Sequence, residues 1–136
     1  MLDFDRYFLK ESQVFLSHID YDFLSFPQQV DNKLSIKDTI GVYNLEDGKV
    51  KIEITRSLDF GAGKLFSLTV VFGILLRKNP FSENEIDWAN INLAEEIKNA
   101  NLPLVKNVMS KMCVLIAEIT SSYGQVPVIT PPQLIK

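Results

Sequence analysis

Apolar and polar residues alternate most regularly in KVKIEITRSLDF (49–60), where Val50, Ile52 and Ile54 fall on one side and Lys49, Lys51, Glu53 and Thr55 on the other. A period of two describes a strand with one buried and one wet face. KLSIKDTIGVYNL (33–45) sets Leu34 and Ile36 against Lys33, Ser35 and Lys37. Between the two lies Glu46-Asp47-Gly48, which predicts a hairpin because Asp-Gly accepts the positive φ of a tight turn. Gly61-Ala62-Gly63 then reverses the chain into KLFSLTVVFGILLRK (64–78), a more continuously apolar run suited to a central strand. Upstream, SQVFLSHIDYDFLSF (12–26) is rich in β-branched and aromatic residues and alternates through Val14, Leu16, His18 and Asp20, predicting a strand that runs into a loop at Pro27. PQQVDN (27–32) is a polar crossover. Leu2, Phe4, Tyr7, Phe8 and Leu9 follow no regular period and fit a short helix or a docked N-terminal arm over residues 1–11.

The pattern changes after residue 78. NPFSENEIDWANI (79–91) reads as a loop with room for a turn of helix, and Asn92 followed by Glu95 is an N-cap signature for LAEEIKNA (93–100). Asn101 with Pro103 predicts the start of a long helix and Gly124 its end. Val105, Val108, Met109, Met112, Leu115, Ile116 and Ile119 form one stripe of that helix; Cys113, Val114 and Ala117 widen it, leaving Lys106, Asn107, Ser110, Lys111 and Glu118 as a narrow wet face. One sheet needs one stripe. The surplus predicts a helix-to-helix contact with a second copy through Val105, Met109, Met112, Cys113, Val114, Ile116 and Ala117; the alternative is cover from the first helix or the N-terminal arm. Strands joined by short turns pair antiparallel. The expected fold is therefore α+β: one domain over residues 1–136, with a four-stranded antiparallel sheet, polar on one face, packed against a long C-terminal helix.

At 136 residues and 46% hydrophobic, the chain has material for one core. A net charge of −3 argues against nucleic acid, whose non-specific affinity comes from clustered Lys and Arg. The N-terminus lacks a basic n-region and a continuous apolar h-region, so no signal peptide is expected. No apolar run approaches the ~20 residues that span a bilayer, so no membrane insertion is expected. The single Cys113 permits no internal disulfide and fits a reducing cytoplasm.

Catalytic groups are sparse. His18, the lone imidazole, reads as a sheet-face residue rather than a general base, and Cys113 as an inert thiol on an apolar helix face. One His and one Cys do not make a closed zinc site, so neither metal nor cofactor is expected. Gly61-Ala62-Gly63-Lys64 lacks the spacing and the following Ser or Thr of a phosphate loop and lies between two strands. Glu95 and Glu96 fit a solvated helix face. Trp88 fits either a binding anchor or a plug at the edge of the core. The reading is of a protein that binds rather than catalyses.

The order of strand, crossover, three-stranded meander and helix, ending in NLPLVKNVMSKMCVLIAEITSSYGQVPVITPP (101–132), resembles the SecB family of protein-export chaperones. The likeness runs from about Ser12 to Leu134 and rests on the ordered set: a proline near the helix start, a small-residue helix ending, a Pro-bounded apolar segment and a final Pro pair. It implies a cytoplasmic homotetramer, a dimer of dimers with helices inside, that binds unfolded polypeptides through apolar grooves without nucleotide. By position, one groove wall would be Phe23, Leu24, Phe26 and Pro27, and the other Val126, Val128, Ile129, Pro131 and Leu134; the alternative is that these side chains fill the chain's own core. Typical members continue past the Pro pair with a helix and a tail that contacts the SecA motor, whereas this sequence stops at Lys136, which argues against SecA delivery. The long stretch 79–100 is a candidate for the missing cover. A SecB-like protein dedicated to one partner, such as an antitoxin, is the alternative to a general export role.

Overall fold

The computed structural model describes residues 2–24, 33–60, 65–121 and 127–135. A one-turn helix α1 (Phe4–Tyr7) leads into strands β1 (Phe8–Phe23), β2 (Leu34–Asn44), β3 (Lys49–Phe60) and β4 (Phe66–Lys78), followed by helices α2 (Leu93–Ala100) and α3 (Pro103–Ser121). The strands form one antiparallel sheet in the order β1-β4-β3-β2. β2, β3 and β4 are the expected meander, and the chain crosses from one edge of the sheet to the other between Phe23 and Leu34.

Alternation decides which face is buried. Val50, Ile52, Ile54 and Leu58 of β3 pair with Leu76, Ile74, Phe72 and Leu68 of β4, and all eight lie in the core. Against them pack Leu93 and Ile97 of α2 and Val105, Val108, Met109, Met112 and Ile116 of α3. The β2–β3 turn takes the expected form, with Asp47 and Gly48 at φ 60 and 71. The second reversal, at 61–63, lies outside the described residues.

Four local expectations change. The first strand begins at Phe8, not Ser12, so the last part of the supposed arm, residues 8–11, is sheet and Phe4–Tyr7 is helix, with a register irregularity between Phe8 and Ser12. Its alternation also breaks: a bulge between Leu16 and His18 shifts the pairing. Val14 and Leu16 face the helices, as do Ile19, Tyr21 and Phe23 beyond the bulge, while His18, Asp20 and Asp22 turn to the outer face. The outer face is not wholly polar either, since it carries Phe15, Val71 and Leu75. Finally, Asn101 does not open α3: at φ 55, ψ 45 it is the left-handed C-cap of α2, a conformation asparagine tolerates, and α3 starts at Pro103. The Asn92 cap is as expected, its side chain accepting the Glu95 N–H at 3.2 Å.

The 79–91 segment folds as two 3-10 turns, Glu83–Glu85 and Trp88–Asn90. Trp88 is a plug: its ring meets Tyr7 and Phe8 edge-on at 6.1 and 5.5 Å, Lys78 sits 4.5 Å over it, and its indole N–H donates to Glu83 O at 2.8 Å. Arg6 forks onto Glu85 through two bonds of 2.8 Å, and Glu96 accepts the Leu2 N–H at 2.9 Å, so the N-terminus is tied to the second half of the chain.

On the outer face Phe15 covers its cross-strand partner Gly73 so closely that a Cβ there would stand 2.2 Å from the ring Cζ. Gly73→Ala should therefore cost about 1–3 kcal/mol by denaturant titration, the usual penalty of overpacking. In a Phe15→Ala background most of that cost should vanish; an equal cost in both backgrounds would mean that the glycine is needed for another reason.

Candidate functional site: a clamped C-terminal segment beside an apolar groove

Each of β2 and β3 carries one charged residue in phase with its buried apolar positions: Asp38 among Leu34, Ile36 and Ile40, and Arg56 among Ile52, Ile54 and Leu58. They are direct cross-strand partners. Arg56 has no solvent exposure and Asp38 is 9% exposed. The guanidinium meets the carboxylate as a fork, Nε to Oδ1 at 2.8 Å and Nη2 to Oδ2 at 2.7 Å. Its remaining N–H groups go to the C-terminal segment: Nη1 donates to Thr130 Oγ1 at 3.0 Å and Pro131 O at 2.6 Å, and Nη2 to Gln133 O at 2.8 Å. Every guanidinium donor thus has an acceptor, as a buried charge requires. Asp38 Oδ2 also accepts the Ile135 N–H at 2.8 Å.

The helix side completes the clamp. The half-buried Cys113 thiol points at Thr130 O and Pro131 O, both at 3.1 Å. Buried Thr120 accepts the Val128 N–H at 2.8 Å and donates to Ile116 O at 2.9 Å. Thr120, Thr130, Asp38 and Arg56 were not legible as a group from sequence; the available signal was one inward-phased charge of each sign on two adjacent strands.

The residues expected to line a client groove divide. Phe26, Pro27 and Val126 lie outside the described residues. Phe23 and Leu24 close the end of edge strand β1 and are 49% and 47% exposed. Val128 and Leu134 are partly buried and pack against the core, Ile129 is 78% exposed, and Pro131 is exposed with its carbonyl on Arg56. The two sets are mounted on opposite halves of the sheet, β1 on one side and β2–β3 on the other.

Of the residues expected at a helix-to-helix interface, Val105, Met109, Met112 and Ile116 are buried in this chain's own core, and Cys113 and Ala117 are half-buried. Most of the apolar character of α3 is taken up within this chain, by the core it shares with the sheet and by contacts of Cys113 and Thr120 with the C-terminal segment. Val114, 59% exposed, is left. With Leu16, Phe72 and Leu115 it lines a groove of about 460 Å³ between β1 and α3, rimmed by Ser110, Lys111 and Glu118. Leu16 and Ile19, 47% and 38% exposed, extend the apolar surface along the edge strand. The sequence signal for them was the phase break after Leu16.

No protein-family model matches this chain, and no curated protein matches it significantly. Among solved structures, the SecB-like chaperone Rv1957 of Mycobacterium tuberculosis, in complex with a ChAD peptide from the Rv1956 HigA1 antitoxin, superposes with a TM-score of 0.64. The match covers 88% of this chain and 89% of that chain at 10% sequence identity. A protein of unknown function from Streptococcus agalactiae covers 89% of this chain and 97% of its own at 14% identity, with a TM-score of 0.38, too weak to define a shared fold. The chain has the SecB-like α+β fold.

Breaking the clamp from one side should be costly. Asp38→Ala leaves Arg56 charged and buried without its fork, and denaturation should show a loss of about 3–5 kcal/mol, whereas Asp38→Leu combined with Arg56→Met should recover much of it. Glu85→Ala removes a pair of nearly the same geometry in solvent and should leave stability almost unchanged. A small loss for Asp38→Ala would mean that the site admits water.

Proposed function

On this SecB-like fold, we propose that the protein is a non-enzymatic chaperone that binds unfolded or extended polypeptide and keeps it from aggregating. The observation that carries the reading is the set of large apolar side chains left in solvent on an otherwise well-packed fold: Phe23 and Leu24 at the end of β1, Ile19 along the same edge strand, and Ile129 in the C-terminal segment. Exposed apolar surface beside an open strand edge suits capture of a chain, because edge backbone groups accept any sequence and apolar side chains impose little selection. Among the described residues no group of side chains is suited to hold a metal, and no helix is long and apolar enough to cross a membrane.

The finer assignments belong to the same proposal. Phe23, Leu24 and Ile129, with Phe26, Pro27 and Val126 beside them in sequence, contact client. Val114, backed by Leu16, joins copies of the chain into a homo-oligomer, a tetramer by analogy with the export chaperones, working in the cytoplasm. A dedicated partner is the second reading, favoured because the mycobacterial protein of the same fold is seen with a peptide from an antitoxin.

Two variants separate the roles. Phe23→Ala/Leu24→Ala/Ile129→Ala should keep the parent's assembly mass and cooperative melting but lose roughly 100-fold in affinity for an unfolded model protein, since each apolar side chain contributes about 1.5–3 kcal/mol when fully buried. Val114→Asp should lower the mass read by light scattering, because it places an unpaired charge in the contact. A triple variant that suppresses aggregation as well as the parent overturns the client assignment.

A further inference from the structure

The slot between β2, β3 and α3 reads main chain rather than side chains. Arg56 takes the carbonyls of Pro131 and Gln133, Asp38 takes the N–H of Ile135, and Cys113 reaches the carbonyls of Thr130 and Pro131; the Thr130 hydroxyl is the one side-chain group that Arg56 engages in the segment. The chain bends at Pro132 and Gln133, and the bend turns the carbonyls of 131 and 133 onto one guanidinium and the N–H of 135 onto Asp38. Between them Pro132 faces solvent, and the exposed Gln133 takes part through its carbonyl alone. Leu134 supplies the apolar anchor against the core.

Such a slot suits any segment that bends to place two carbonyls and an N–H in this arrangement, with an aliphatic side chain just before the N–H. An empty slot would leave buried Arg56 with Asp38 alone and without its acceptors at Thr130, Pro131 and Gln133, so exchange of one chain for another is favoured over vacancy. We propose that residues 127–135 are a resident, exchangeable occupant of a main-chain-reading site, and that its other occupant is an aliphatic segment of a polypeptide client that takes the same bend. This deepens the polypeptide-binding reading and rests on it: exposed Phe23, Leu24 and Ile129 supply breadth, and the Arg56–Asp38 slot supplies a sequence-tolerant register.

The probe is a fluorescent peptide with the sequence of Pro127–Ile135, offered to the full chain. The tethered segment competes at an effective concentration on the order of millimolar, so the parent should bind the peptide weakly. Thr130→Val in the protein weakens the resident and leaves the slot intact; capture should rise about tenfold, the worth of one hydrogen bond to a charged group. Alkylation of Cys113, which the resident contacts through two carbonyls, should accelerate in the same variant and slow again with peptide. A peptide N-methylated at the Ile135 nitrogen should lose binding, and one carrying Gln133→Ala should not. No capture by either protein, or sensitivity to Gln133→Ala without sensitivity to N-methylation, overturns the proposal. Aggregation suppression measured in parallel keeps the two readings apart: a holdase that ignores the peptide loses only the slot, and a peptide binder that suppresses no aggregation loses only the chaperone reading.

Discussion

The buried pair Arg56–Asp38 is the contact on which the arrangement of the second half of the chain depends. Taking a guanidinium and a carboxylate out of water is expensive, and their attraction offsets it only if the remaining donors and acceptors are also met. Here the fork between the side chains uses part of the guanidinium, and the rest is completed by Thr130, Pro131 and Gln133. The pair therefore pins the β2–β3 register and specifies where the C-terminal segment must lie. Through Cys113 and Thr120 the same segment is tied to α3, so sheet, helix and tail are fixed together.

The opposite half of the sheet is governed by an open edge. β1 runs for 16 residues along β4, and its bulge after Leu16 changes which residues face the helices. Without that shift, Ile19, Tyr21 and Phe23 would share the outer face with Phe15, and His18, Asp20 and Asp22 would point toward the core. With it, the apolar residues on both sides of the bulge line the helix side of the edge, where α3 leaves a groove. Exposed edges and apolar strips are aggregation hazards in an ordinary domain; on the proposed chaperone reading they are the surfaces that meet other chains.

The two halves of the sheet present different chemistry. The groove beside β1 is lined by apolar side chains, while the β2–β3 side carries a buried charged pair that meets the backbone of residues 131, 133 and 135. At 10% identity to the mycobacterial chaperone, the shared fold is carried by the order and phase of apolar positions rather than by particular residues, which is why few individual positions on their own indicate the site.

The meander, its Asp47-Gly48 turn, the buried set Val50, Ile52 and Ile54, and the Asn92 cap were determined by the sequence itself, because each depends on a local period or on the backbone tolerance of one or two residues. Tertiary structure decided the rest. The bulge in β1 depends on pairing with β4, so the apparent alternation through His18 and Asp20 pointed to the wrong face. Asn101 was drawn to the end of α2 because its left-handed conformation closes that helix, while proline alone suffices to begin the next. The apolar surplus on α3 looked like a contact with another copy, but the core and the tail claim most of it. Arg56 and Asp38 sit 18 residues apart and meet the tail more than 70 residues further on; only folding brings their charges and those carbonyls into one dry site, because no local pattern records which distant backbone will satisfy a buried charge.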